Sequence, residues 1–283
     1  MRKVFRSRGF SRTMLAIGLV LLLGTAVCWT KVYFDNRELY RFSQQFFRPG
    51  MDTEESLKEL LHYVAVECKH PVDPAKAHWV AKLEERLPLK LSPVTVLREG
   101  YAFPGTERFG ECGSMSELIG AIARIRGMPV RMVLLDDAAA GGEHKMVSVW
   151  HDGGYRLLDP AFDHYWVNEE GRIATIEEVR DNPEIFAQVF QKHEHYPYRL
   201  DKPQYFRWSR LGPMEGFARS VVGLFVGAKG VEEMDTPAFI DRPWLGYGWA
   251  CLFMAVPPLF LGWLTRPRRA TKHPESTDQV QAA

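Results

Sequence analysis

The chain has 283 residues, of which 46% are hydrophobic and 25% charged, and a net charge of +1. This composition excludes general disorder, leaves room for one good-sized core with additions, and with only four cysteines excludes a disulfide-built scaffold. The near-neutral total conceals an uneven distribution: residues 31–243 hold 27 Lys and Arg against 33 Asp and Glu, a net of −6, which argues against nucleic-acid binding as a main role.

Residues 1–13 form a basic tail with Arg2, Lys3, Arg6, Arg8 and Arg12. Residues 14–30 follow as 17 positions without a charge, just long enough to cross a hydrocarbon layer. A cleaved signal peptide has a similar layout, but Cys28-Trp29-Thr30-Lys31 does not fit the small-residue cleavage pattern, so a retained transmembrane helix is expected. A second uncharged run of 22 residues covers 244–265, with Trp244, Tyr247, Trp249 and Trp263 towards its ends and Pro257-Pro258 inside. The tail at 266–283 begins with Arg266, Arg268 and Arg269. By the positive-inside rule both ends are expected in the cytoplasm and the domain between the spans outside it, as in a two-span protein of a cell inner membrane with a periplasmic main domain.

Residues 31–100 read as a helical lead-in. Asn36 to Phe47 is a charged and aromatic helix candidate ended by Arg48-Pro49-Gly50. Asp52 with Glu55 makes a capping-box start for a helix to about Cys68 with an apolar stripe of Leu57, Leu60, Leu61, Val64 and Val66. Asp73-Pro74 opens another through His78 and Leu87, with His78 on its surface, and Val94 to Val96 suits a short strand. Residues 211–243 include the apolar run Gly216 to Gly230, interrupted by Arg219 and Lys229. It reads either as an interfacial or partner-facing helix beside the second span, or as a buried domain helix.

Residues 101–210 hold the candidate chemistry. Cys112 follows a loop with Pro104, Gly105 and Gly110 and precedes Met115, Leu118, Ile119, Ile122 and Ile125 at helical spacing. A cysteine at a helix start lies among unpaired backbone N–H groups and the positive end of the macrodipole, both of which favour the nucleophilic thiolate. A thiol nucleophile also needs a base, and the base an orienting partner. Gly127-Met128-Pro129 stops the helix, and Val130 to Leu135 reads as a strand. His144 to Trp150, a turn at 151–154 and Tyr155 to Leu158 read as a hairpin that places Asp159 opposite His144. Thr175 with Glu178 caps a further short helix. Asp163 and His164 are weaker orienting candidates, His193 and His195 lack a third metal ligand, and a Cys68–Cys112 bond would silence the nucleophile.

Gly110-Glu111-Cys112 before a helix, Arg124-Ile125-Arg126-Gly127-Met128-Pro129-Val130-Arg131, a His opening a strand, and Gly154-Tyr155-Arg156-Leu157-Leu158-Asp159-Pro160 together resemble the core of the transglutaminase-like superfamily, related in fold to papain-type cysteine proteases. The likeness covers about residues 105–165, in the order Cys, His, Asp. Departures are Lys145 and Met146 where the family often has an aromatic, and an oxyanion donor upstream of the cysteine that is not obvious, with Tyr101 and Phe109 nearby and the Cys112 N–H as the one donor suggested. The resemblance implies an α+β, membrane-anchored bacterial member in which Cys112 is the nucleophile, His144 the general base and acid, and Asp159 the orienting carboxylate. It would act on a peptide or protein amide in the cell envelope, as peptidase, amidase or transamidase, without cofactor or metal. The other reading is an inactive member serving as a scaffold or binding module for an envelope protein partner, in a secretion or polysaccharide-export assembly.

Overall fold

The computed structural model describes residues 8–68, 92–99, 111–137, 142–206, 208–235 and 242–266. The helix expected from Asp73-Pro74 with His78, and the loop with Tyr101 and Phe109, lie outside the described residues. Internal contacts divide the chain into two compact units, residues 1–29 with 247–283, and residues 30–246.

The first unit is built from the ends of two long apolar helices, α1 (Arg8–Ser43) and a last helix spanning Pro243–Leu264. Small residues on each helix meet large ones on the other. Gly18 faces Leu259, Gly24 faces Cys251, and Gly248 and Gly262 lie against Trp29 and Leu15. As the residue number rises on one helix it falls on the other, so the two run antiparallel. Ser11 Oγ donates to the Gly262 carbonyl at 2.7 Å, and Trp29 meets Trp249 edge to face at 5.7 Å. Both helices are long and apolar enough to cross a membrane, and only 17% of the most apolar window of each is buried. A core helix of a soluble domain would be mostly covered; these present their apolar sides outward. The charged helix expected separately at Asn36 to Phe47 is instead continuous with α1 as far as Ser43, after which turns follow.

The second unit is α+β with a small antiparallel sheet. Helix α2 (Thr53–Val66) starts where the Asp52 carboxylate accepts the Glu54 and Glu55 N–H groups. Helix α3 (Pro93–Glu99) replaces the strand expected at Val94 to Val96: Ser92 Oγ accepts the Thr95 N–H, and Pro93 occupies the first turn, where its missing N–H costs nothing. These local start signals outweigh the β preference of Val94, Thr95 and Val96. Helix α4 (Glu111–Ile125) has Cys112 as its second residue and buries Met115, Leu118, Ile119 and Ile122. Each such side chain contributes about 1.5–3 kcal/mol through removal from water.

Strands β1 (Val130–Asp137), β2 (Gly142–His151), β3 (Gly154–Asp159) and β4 (His164–Tyr165) pair in chain order, all antiparallel. The β2–β3 turn has Asp152 and Gly153 both at positive φ, 46° and 77°, the backbone of a two-residue type I′ turn. The guanidinium of Arg156 donates to the His151, Asp152 and Ile173 carbonyls and ties that turn down.

Alternation along the strands divides the core. Met132, Val147, Val149 and Leu158 face α2 and α4, while Val133, Leu135, Met146 and Leu157 face Trp166, Ile176 and Val179. Gly120 lets α4 settle onto the sheet, since a Cβ there would lie 2.5 Å from the Met132 methyl. Helix α5 (Ile176–Asp181) begins with the expected Thr175–Glu178 capping box, and α6 (Pro183–Ala187) follows. After a 3-10 segment, Trp208–Met214, comes α7 (Glu215–Glu232), broken at Gly227, where φ is 75°; the helix at Pro243–Leu264 is α8.

Candidate active site

His144 lies near the start of β2 and Asp159 ends β3, and both are buried. The β2–β3 register pairs Val147 with Leu158, so Asp159 is not directly opposite His144 as expected from the hairpin arithmetic. Continued by one step, that register sets Asp159 against Met146, which makes His144 its diagonal neighbour. Residues 144 and 146 share a sheet face, and a diagonal pair is still within reach of long side chains. The His144 Nε2 to Asp159 Oδ2 distance is 2.8 Å.

The carboxylate has two further donors. Ala161 N–H reaches Oδ1 at 3.2 Å, and the Tyr196 hydroxyl donates to Oδ2 at 2.8 Å. Burial, followed by the Asp159 charge and hydrogen bond, holds the Tyr196 phenol well above its usual value, so it remains a donor. Tyr198 stacks on the His144 ring at 4.1 Å with the planes 13° apart, and Phe162 meets it edge-on at 5.6 Å.

Cys112 is a half-buried free thiol in the first turn of α4, close enough to His144 for the two to shift each other's titration. Burial by itself would raise the thiol; the hydrogen bond and charge of His144, joined by the backbone of Lys145, outweigh it and hold Cys112 below its ordinary value. Burial likewise disfavours the His144 cation, but the Asp159 charge and hydrogen bond, with Cys112 behind them, push it up to about 9. The opposite shifts are those that a neighbouring thiol and imidazole impose on each other, and the titration belongs to both groups together.

Two contacts clamp α4 to β2 beside this pair. Ser116 Oγ donates to the Lys145 carbonyl at 2.9 Å, and Glu117 pairs with the Lys145 ammonium at 2.5 Å, largely out of water.

The other candidates lie elsewhere or are otherwise engaged. Asp163 pairs with His62 at 2.8 Å. His164 is buried against Trp166, and burial together with the Lys192 charge lowers it to about 4, leaving it neutral. His193 contacts the Phe162 carbonyl, and among the described residues no cluster of His, Cys, Asp or Glu is suited to a metal ion. Cys68 is a buried free thiol raised to about 11, mainly by burial, and is not bonded to Cys112. A cavity of about 610 Å³, lined by residues including Arg131, Arg180, Lys202 and Tyr205, includes none of Cys112, His144 or Asp159.

Sequence reasoning missed Tyr196, Tyr198 and the Glu117–Lys145 clamp. The only signal for the tyrosines is aromatic density in an otherwise irregular stretch, His195-Tyr196-Pro197-Tyr198.

The chain is thus an α+β protein with a small antiparallel sheet, a buried histidine–aspartate hydrogen bond, and two terminal helices of membrane-spanning length. No protein-family model matches it, and comparison with curated proteins and with solved structures finds no match.

Proposed function

We propose that the domain is a transglutaminase-like thiol enzyme acting on amide bonds, with Cys112 as nucleophile, His144 as general base and acid, and Asp159 as orienting carboxylate. The observation that carries this reading is the buried 2.8 Å His144–Asp159 hydrogen bond, with Cys112 at a helix start close enough to His144 for the thiol to be lowered and the imidazole raised. The Cys112 thiolate adds to the amide carbonyl carbon, and the carbonyl electron pair moves to oxygen. Collapse of that adduct breaks the C–N bond, the departing nitrogen takes the proton held on His144, and a thioester remains on Cys112. Water or a second amine then attacks the thioester carbonyl while His144 removes its proton, giving an acid or a new amide and restoring the thiolate. The Cys112 N–H, in the first turn of α4, is suited to receive the oxyanion. No step requires a cofactor or metal.

The same reading puts the domain on the outer side of a bacterial inner membrane with both termini in the cytoplasm, facing peptide or protein amides of the envelope. The basic residues flanking each apolar stretch support that orientation.

The test combines iodoacetamide alkylation of the full chain with turnover of a glutamine-containing peptide, alone and with a biotinylated amine. Alkylation of Cys112 faster than a free cysteine at neutral pH, with hydrolysis or amine incorporation lost in Cys112→Ala, is the expected result. Ordinary reactivity of Cys112 would replace the enzyme by the non-catalytic envelope scaffold.

A further inference from the structure

Helix α7 is amphipathic in the reverse of the usual sense. Phe217, Val221, Leu224 and Phe225 recur at helical spacing on one side, and that side is bare: Leu224 and Phe225 are each 84% exposed and Phe217 65%. The opposite side is covered by the adjoining chain: Arg219 lies over the ring of Trp208 in the preceding 3-10 segment, Gly223 approaches Val231 beyond the break at Gly227, and Trp208 Nε1 donates to the Val231 carbonyl at 3.2 Å. Just before the helix, Leu211 and Met214 are exposed as well. The exposure excludes the buried domain helix that the sequence allowed. A bare apolar stripe of this size on a domain surface marks an interaction site.

We propose that α7 is a third membrane contact of this protein, lying in the plane of the bilayer interface with Phe217, Val221, Leu224 and Phe225 among the acyl chains. The covalent chain favours lipid over a protein partner. Residues 233–242 are all that separate α7 from α8, one of the two helices long and apolar enough to cross a membrane. Ten residues extend no more than about 36 Å, so α7 is tethered within reach of the surface that α8 enters. Interfacial helices bury their apolar side roughly 5–10 Å deep at the headgroup boundary, which suits aromatic and leucine side chains. Charged groups at the helix, including Lys229 and the Glu215–Arg219 pair, are partly exposed to water and headgroups. The inference does not depend on whether Cys112 is catalytic.

The experiment places the photoreactive residue benzoylphenylalanine singly at positions 217, 222, 224 and 225 of the full chain. The protein is reconstituted in vesicles of phosphatidylethanolamine and phosphatidylglycerol, illuminated and examined by mass spectrometry. Position 19 serves as reference, because Leu19 on α1 is 61% exposed in the spanning stretch. Lipid adducts at 217, 224 and 225 comparable with those at 19, and far fewer at the half-buried position 222, are expected. Cross-links from 224 and 225 to a second copy or another protein, or absence of lipid adducts there while position 19 forms them, would overturn the proposal. Leu224 and Phe225 pack against little in the domain, so substitution there leaves folding intact.

Discussion

His144 and Tyr196 bind the same oxygen, Oδ2 of Asp159, each at 2.8 Å. The carboxylate is thereby shared between the imidazole and the phenol, both buried, and its hold on the imidazole is tuned by the phenol. Tyr196→Phe removes one donor and leaves His144 as the main partner of that oxygen. The His144 pKa should then rise above its value of about 9, followed by NMR of the ring protons. Loss of a hydrogen bond to a charged group should also lower the unfolding free energy by about 1.5–3 kcal/mol in denaturant titration. An unchanged ring titration would mean that the phenol does not act on the carboxylate.

The raised His144 sets a pH dependence of stability. Its folded value of about 9 stands above the ordinary 6.5, so its contribution is complete below about pH 6.5 and is lost as pH rises through about 9. Wild type should exceed His144→Gln in unfolding free energy by on the order of 3 kcal/mol at pH 6, and the gap should close towards pH 10. The lowered Cys112 thiol acts in the opposite sense: its contribution is present above the unfolded value and lost as pH falls. Denaturation of wild type, His144→Gln and Cys112→Ser across this range separates the two.

The Glu117–Lys145 pair joins the cysteine helix to the histidine strand. With side chains only 6% and 12% exposed, removal of one partner takes a counter-charge from a group largely out of water. Lys145→Met is expected to lower the unfolding free energy by about 1.5–3 kcal/mol, the range for a hydrogen bond to a charged group, and Glu117→Leu combined with Lys145→Met to recover part of that loss. Slower alkylation of Cys112 in the single variant, partly restored in the double, would show that the clamp sets the approach of sulfur to imidazole; equal rates in all three proteins would show that it does not.

In the apolar helix pair, a Cβ on Gly262 would lie 2.9 Å from the Leu15 side chain and 3.1 Å from its main-chain nitrogen. The main chain cannot swing aside as a side-chain tip can. Gly262→Val should force α1 and α8 apart and lower the melting temperature of the bilayer-reconstituted protein, while Gly216→Ala, at a residue with open space around it and no positive φ, serves as the control. A melting temperature equal to wild type for Gly262→Val would remove the close contact from the account.

The sequence alone determined those features whose cause lies within a few residues. Uncharged runs of 17 and 22 residues announce the two long apolar helices. Asp52, and Thr175 with Glu178, mark helix starts because a side-chain oxygen three residues or fewer away meets the free N–H groups. Asp152-Gly153 forms the hairpin because that pair tolerates positive φ. The tertiary structure decided what depends on distant partners. The ladder register made His144 and Asp159 diagonal neighbours. Tyr196 reaches the carboxylate from 37 residues further along the chain, and the bare side of α7 is visible only once Trp208 and Val231 are seen to occupy the other. Turn chemistry and periodicity act over one or two turns of chain, whereas register, burial and the sharing of a single oxygen are fixed by packing between segments that no local window contains.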